Sequence, residues 1–145
     1  MAVTDEQVAA LRAQLADDVE EHRRLLAQLD LDTGGREYLA LIDAAFFEAA
    51  ERRFGNRSTK ADVIEYVADV RSRSQRIADA VDARTAEQLI RMVFSDSPVE
   101  ALDSKTALAA KQVLLAALIA DEHLDDAGLD KVLADARQLA DRMAT

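Results

Sequence analysis

Cysteine is absent from this sequence, which removes any disulfide framework and any thiolate nucleophile and leaves the redox compartment open. One proline and four glycines in 145 residues are too few to punctuate many turns. With Ala and Leu abundant, that scarcity favours helix throughout. Long apolar runs are missing too. The most apolar stretch, ALAAKQVLLAALIA at 107–120, is too short to span a bilayer and is predicted to be a buried central helix. The start, MAVTDEQVAALRAQ, lacks the basic and apolar regions of a signal peptide, so a soluble cytoplasmic protein with no membrane partner is expected. GxxxxGK[ST], GxGxxG and GxSxG are all absent.

What is present is helical periodicity. Thr4 followed by Gln7 is a capping-box pattern. Val8, Leu11, Leu15, Val19, His22, Leu26 and Leu29 then recur at steps of three and four, which predicts one long first helix stopped by Gly34 and Gly35. A second helix over about 36–54 carries Tyr38, Leu41, Ile42, Ala45, Phe46 and Ala49 on one side and ends at Gly55. Ser58 or Thr59 caps a third, running to about 82, and a fourth opens at Thr85. Ser97, Pro98 and Glu100 predict a short helical turn near 98–103 before the apolar helix 105–121. A last helix starts at Asp125 or Asp126 with Leu129, Val132, Leu133, Ala136, Leu139 and Met143 inward. No segment alternates with period two. The expected fold is all-α, a single-domain antiparallel bundle over 1–145 with about five main helices.

Charge is unevenly spread along a chain of formal net charge −10. Residues 1–51 hold 4 basic and 12 acidic side chains, 52–84 hold 8 and 5, and 85–145 hold 6 and 11. The middle segment, with RRFGNRSTK at 52–60, is therefore the one basic region. Its bend invites a DNA-binding reading with Ser58 to Arg71 as recognition helix. The spacing of Ala50 and Val63 about Gly55 does not fit that motif, and an acidic chain repels a phosphate backbone. Arg57 and Lys60 beside the start of the third helix also compose a generic anion-binding arrangement, as many helix starts do. The plainer reading is that these cations pair with the acidic first and last helices or lie in solvent.

Metal and acid–base chemistry find little support. Neither His22 nor His123 has the Glu three residues earlier that carboxylate-bridged dimetal bundles use. DEHLDDAGLDKV misplaces the glycine of a calcium loop and lacks its final Glu. No metal and no cofactor is expected. His22 is taken as structural, its ring donating to Asp18 one turn earlier. The stretch LIADEHLDDAGLDKVLADARQLA, 118–140, resembles the acidic helix-turn-helix of tellurite-resistance-type helical domains, which carry Asp-Gly followed by a Glu. Glu122 stands where that motif has its glycine, and no residue role is carried over.

The six aromatics, Tyr38, Phe46, Phe47, Phe54, Tyr66 and Phe94, are concentrated in the second to fourth helices. Adjacent helix positions differ by about 100°, so if Phe46 faces the core Phe47 lies at an edge. An edge Phe near arginines suits a protein interface. The sequence therefore points to a non-catalytic regulatory or adaptor domain whose partner is another protein, with Phe47, Arg52, Arg53, Arg57 and Lys60 as binding residues. Two other readings rank below it: a small-ligand or catalytic bundle with a pocket beside His22, and nucleic-acid binding through 52–84. Val8, Leu11, Leu15, Asp18, His22, Leu25 and Leu29 nearly follow a heptad, so a first helix of about 26 residues, roughly 39 Å, is also a candidate homodimer seam.

Overall fold

The computed structural model describes residues 2–55, 58–94 and 103–143, and every regular element among them is a helix. They are α1 (Asp5–Leu15), α2 (Val19–Gln28), α3 (Leu31–Phe54), α4 (Lys60–Ser72), α5 (Gln75–Ala80), α6 (Ala83–Phe94), α7 (Ser104–Glu122) and α8 (Asp126–Met143). The all-α class matches the sequence reading, but the count is eight rather than about five. The helical turn near 98–103 falls largely outside the described residues.

Two of the extra helices arise where cap chemistry cuts a continuous apolar stripe. The long first helix is two. Asp17 takes a left-handed φ of 60°, and Asp18 N–H donates to Ala13 C=O at 2.9 Å while Asp17 N–H donates to Gln14 C=O at 3.2 Å. That pair of bonds is a Schellman ending with Asp where glycine is usual. Asp18 then caps α2, its carboxylate accepting from the Glu21 N–H. With eleven and ten residues in α1 and α2, no unbroken helix exists to carry the expected heptad seam. The third helix divides likewise: Ser74, extended at φ −160°, caps α5 by accepting from the Ile77 N–H.

Gly34 and Gly35 stop nothing; both lie inside α3. Asp30 sets the start instead, accepting from the N–H groups of Asp32 and Thr33 through its carboxylate and of Gly34 through its carbonyl. Gly55, at φ 56°, does lie at the helix end as expected.

The chain forms two compact units, Met1–Glu48 with Ile119–Thr145, and Ala49–Leu118. In the first, α1 packs on α2 and α8. Leu11, Leu41, Ile42, Phe46, Leu129 and Leu133 are buried there. Arg12 bridges to Asp130 at 2.6 Å and Asp126 at 3.4 Å. The N-terminal strap is fastened to α8 by both backbone groups of Val3: its N–H donates to Asp141, and its carbonyl accepts from Arg137.

In the second unit α4 packs on α5 and α6. Val63, Tyr66, Val67 and Val70 of α4, Leu89 and Ile90 of α6, and Leu114 and Leu115 of α7 are buried. Each start has its cap: Thr59 with Asp62 closes a capping box on α4, Asp82 accepts from Thr85 on α6, and Asp103 accepts from Thr106 on α7.

Candidate functional site

Where α3 ends and α4 begins, within the second unit, lies an open cleft of about 370 Å³. Phe54 and Tyr66 form its apolar wall. Both rings are almost fully buried and meet edge to face, with centroids 5.5 Å apart and planes at 83°. Phe94 supports Phe54 from behind at 6.2 Å. Gly55 lets the chain turn sharply enough for α4 to fold back beside that wall. Ser58, in the turn, donates its hydroxyl to the Phe54 carbonyl.

The polar lining comes mainly from one stripe of α4. Asp62, Glu65, Tyr66 and Asp69 are spaced i, i+3, i+4 and i+7, which aligns them on one helix face. Asp62 is held by the capping box, accepting from the Thr59 N–H at 2.8 Å. Asp69 pairs with Arg73 at 2.8 Å. From α3, the Arg53 guanidinium lies over the Tyr66 ring, 4.9 Å from its centroid, a cation–π geometry. Among the described residues the cleft thus carries three carboxylates and one arginine, inside the segment that reads as basic along the chain.

Among the described residues no histidine lines the cleft, and the Ser58 hydroxyl there is already donated to a carbonyl.

The predicted binding residues divide between the two units, and one of them lies outside the described residues. Arg53 lines the cleft. Arg52 and Lys60 are exposed outside it, and Arg57 lies outside the described residues. Phe46 is buried and Phe47 is 38% exposed, as adjacent positions require. Phe47, however, sits in the first unit, and its neighbours one turn away on α3 are Asp43 and Glu51, with no arginine among them. The aromatic that does meet an arginine is Tyr66. Its place between Asp62, Glu65 and Asp69 at helical spacing was the available signal.

Other arginines of the basic segment have structural partners. Arg71 of α4 donates to the Val81 carbonyl at 2.8 Å and the Ala78 carbonyl at 3.3 Å, capping the end of α5. Arg71 and Asp82 also border a second, wider cleft of about 420 Å³ with Lys105 and Thr106. The Asp82 carboxyl is held below the usual carboxylate range, first by the Thr85 N–H and then by its hydroxyl. Both principal charged groups there are thus engaged by neighbouring caps.

His22 is half-buried, and its Nδ1 lies 2.8 Å from the Ala10 carbonyl across the α1–α2 contact. The expected Asp18 partner is wrong: the ring's hydrogen bond is to the Ala10 carbonyl, while the Asp18 carboxylate accepts from the Glu21 N–H. Neither cleft is lined by His22. Among the described residues no three His, Asp or Glu side chains converge as metal ligands, and no described helix is long and apolar enough to cross a membrane. No protein-family model, no curated protein and no solved structure matches this chain.

Proposed function

We propose that the protein is a non-catalytic docking module that binds a segment of another protein in the cleft between the end of α3 and α4. The observation that carries this reading is the Phe54–Tyr66 wall lining an open cleft beside Arg53 and the carboxylate stripe. A cleft that sets arginine and carboxylates beside an aromatic wall carries residue types through which proteins recognise one another. The carboxylates at 62, 65 and 69 also weigh against α4 as a DNA-recognition helix, since they would meet phosphates with like charge.

A cleft-filling substitution tests the reading. Glu65 is exposed, so Glu65→Trp should fold normally while occupying the space a partner segment needs. Partner capture from extracts of the source cells should be lost in Glu65→Trp and retained in Glu20→Trp, on exposed α2. Equal capture by both variants would contradict the assignment.

A further inference from the structure

The charge of the partner segment follows from how the cleft is furnished, and this step rests on the docking reading above. An acidic helix face alone would be an ordinary solvated surface. Here the face borders a cavity with an aromatic wall, and the chain's own guanidinium already rests on Tyr66, so that ring demonstrably accepts a planar cation. Glu65 is exposed next to Tyr66 on the same stripe and forms no ion pair among the described residues. We propose that the cleft recognises a cationic side chain of the partner, arginine or lysine, and that Arg53 is an internal stand-in that swings off Tyr66 when the partner's cation arrives.

Three features of the molecule favour that occupant. Among the described residues Asp62, Glu65 and Asp69 outnumber Arg53 and the Arg73 that pairs with Asp69, so a visiting cation meets net negative charge. A guanidinium can place its face on the ring and its edge N–H groups on carboxylates at once. The whole chain, at net −10, also draws cationic partners toward it over longer range. Arg53 is exposed and rests on the Tyr66 ring, so its displacement disrupts little of the fold.

Arg53 gives the proposal a signature that simple charge attraction lacks. Removing a competitor worth one exposed cation–π contact should tighten cation binding by about two- to five-fold. The experiment titrates the isotope-labelled full chain with a capped hexapeptide carrying two arginines, followed by amide and ring NMR shifts. Its glutamate counterpart serves as control. Saturable shifts at Tyr66, Glu65 and Asp69 are expected with the arginine peptide only. Arg53→Ala should lower the dissociation constant by the factor above, and Glu65→Gln should raise it by about three-fold.

Equal binding of the glutamate peptide would overturn the proposal, as would no saturable shift at the cleft. An Arg53→Ala variant that binds no better would overturn it too. If the arginine peptide fails while Glu65→Trp still abolishes partner capture, docking stands and cation selection alone is wrong. If the peptide binds with the expected variant pattern while Glu65→Trp captures normally, the cation site stands and the partner docks elsewhere.

Discussion

Gln7 Nε2 donates to the Gly34 carbonyl at 2.8 Å, and the glycine is what lets it come so close. Gln7 is buried, and its other amide atom accepts from the Thr4 N–H in the capping box. One side chain thus caps the start of α1 and ties it to α3. A Cβ on Gly34 would stand 2.9 Å from that Nε2, whereas one on Gly35 would meet Leu31 Cβ at an ordinary 3.8 Å. Gly35→Ala should therefore stabilise by about 0.5–1 kcal/mol, the usual gain inside a helix. Gly34→Ala should show no gain or a loss, since displacing the amide costs about 0.5–1.5 kcal/mol of hydrogen bonding. Urea unfolding of the pair decides it; equal gains would mean the Gln7 contact contributes nothing.

Asp17 holds the left-handed position between α1 and α2. Asp17→Gly should raise stability by about 1 kcal/mol, because only glycine takes that conformation without a Cβ penalty. Asp17→Ala should lower it. Thermal melts in which Gly is no better than Ala would show that this residue's conformation is not what ends α1.

Tyr38 is buried, and its hydroxyl has no hydrogen-bond partner among the described residues. Burial pushes its phenol up to about 12. The neutral form is thus favoured in the folded state, and the sign follows: Tyr38 costs no pH-dependent stability below about pH 10. Above that the unfolded chain ionises first, and stability falls progressively toward pH 12. Tyr38→Phe should flatten this alkaline limb and stabilise by about 1 kcal/mol at neutral pH by removing an unpaired buried hydroxyl. An unchanged alkaline limb together with a loss at neutral pH would contradict the assignment.

Asp82 shows the opposite sign. Its depressed carboxyl favours the folded state above the ordinary carboxylate pKa of about 3.9, and that contribution disappears as pH falls through the lower folded value. Asp82→Asn keeps a capping side chain while removing the titration, so neutral stability should hold and the acid limb should flatten. Asp82→Ala should lose about 1 kcal/mol at neutral pH. Acid titration of the melting temperature separates the two variants, and equal losses from both would contradict the capping role.

Much of the helical framework was legible because apolar spacing and caps agreed. Thr4 with Gln7, Thr59 with Asp62, and Asp125 before α8 all cap where they stand in the sequence. Where the two signals disagreed, the caps prevailed. The stripe Val8, Leu11, Leu15, Val19, His22 continues through Asp17 and Asp18 as though nothing interrupts it, yet the two aspartates end one helix and begin the next. Gly34 and Gly35 show the converse, since an upstream Asp30 outweighed their low helix propensity. The cleft was hidden by counting charge along the chain: 52–84 sums to +3, while its α4 face toward the cleft is acidic. By spatial unit the division differs again. Met1–Glu48 with Ile119–Thr145 holds 7 basic and 18 acidic residues, against 11 and 10 in Ala49–Leu118. Helix face, not segment, decides what a partner meets.

The docking claim is tested most directly by a photoreactive side chain placed at Glu65 in the full-length protein, in its own cells, with Glu20 as the control position. The expected result is one discrete adduct from position 65, mapped by mass spectrometry to a basic segment of a single partner, and none of that species from position 20. No discrete adduct from position 65, or the same adducts from both positions, would contradict the cleft between α3 and α4 as the docking site.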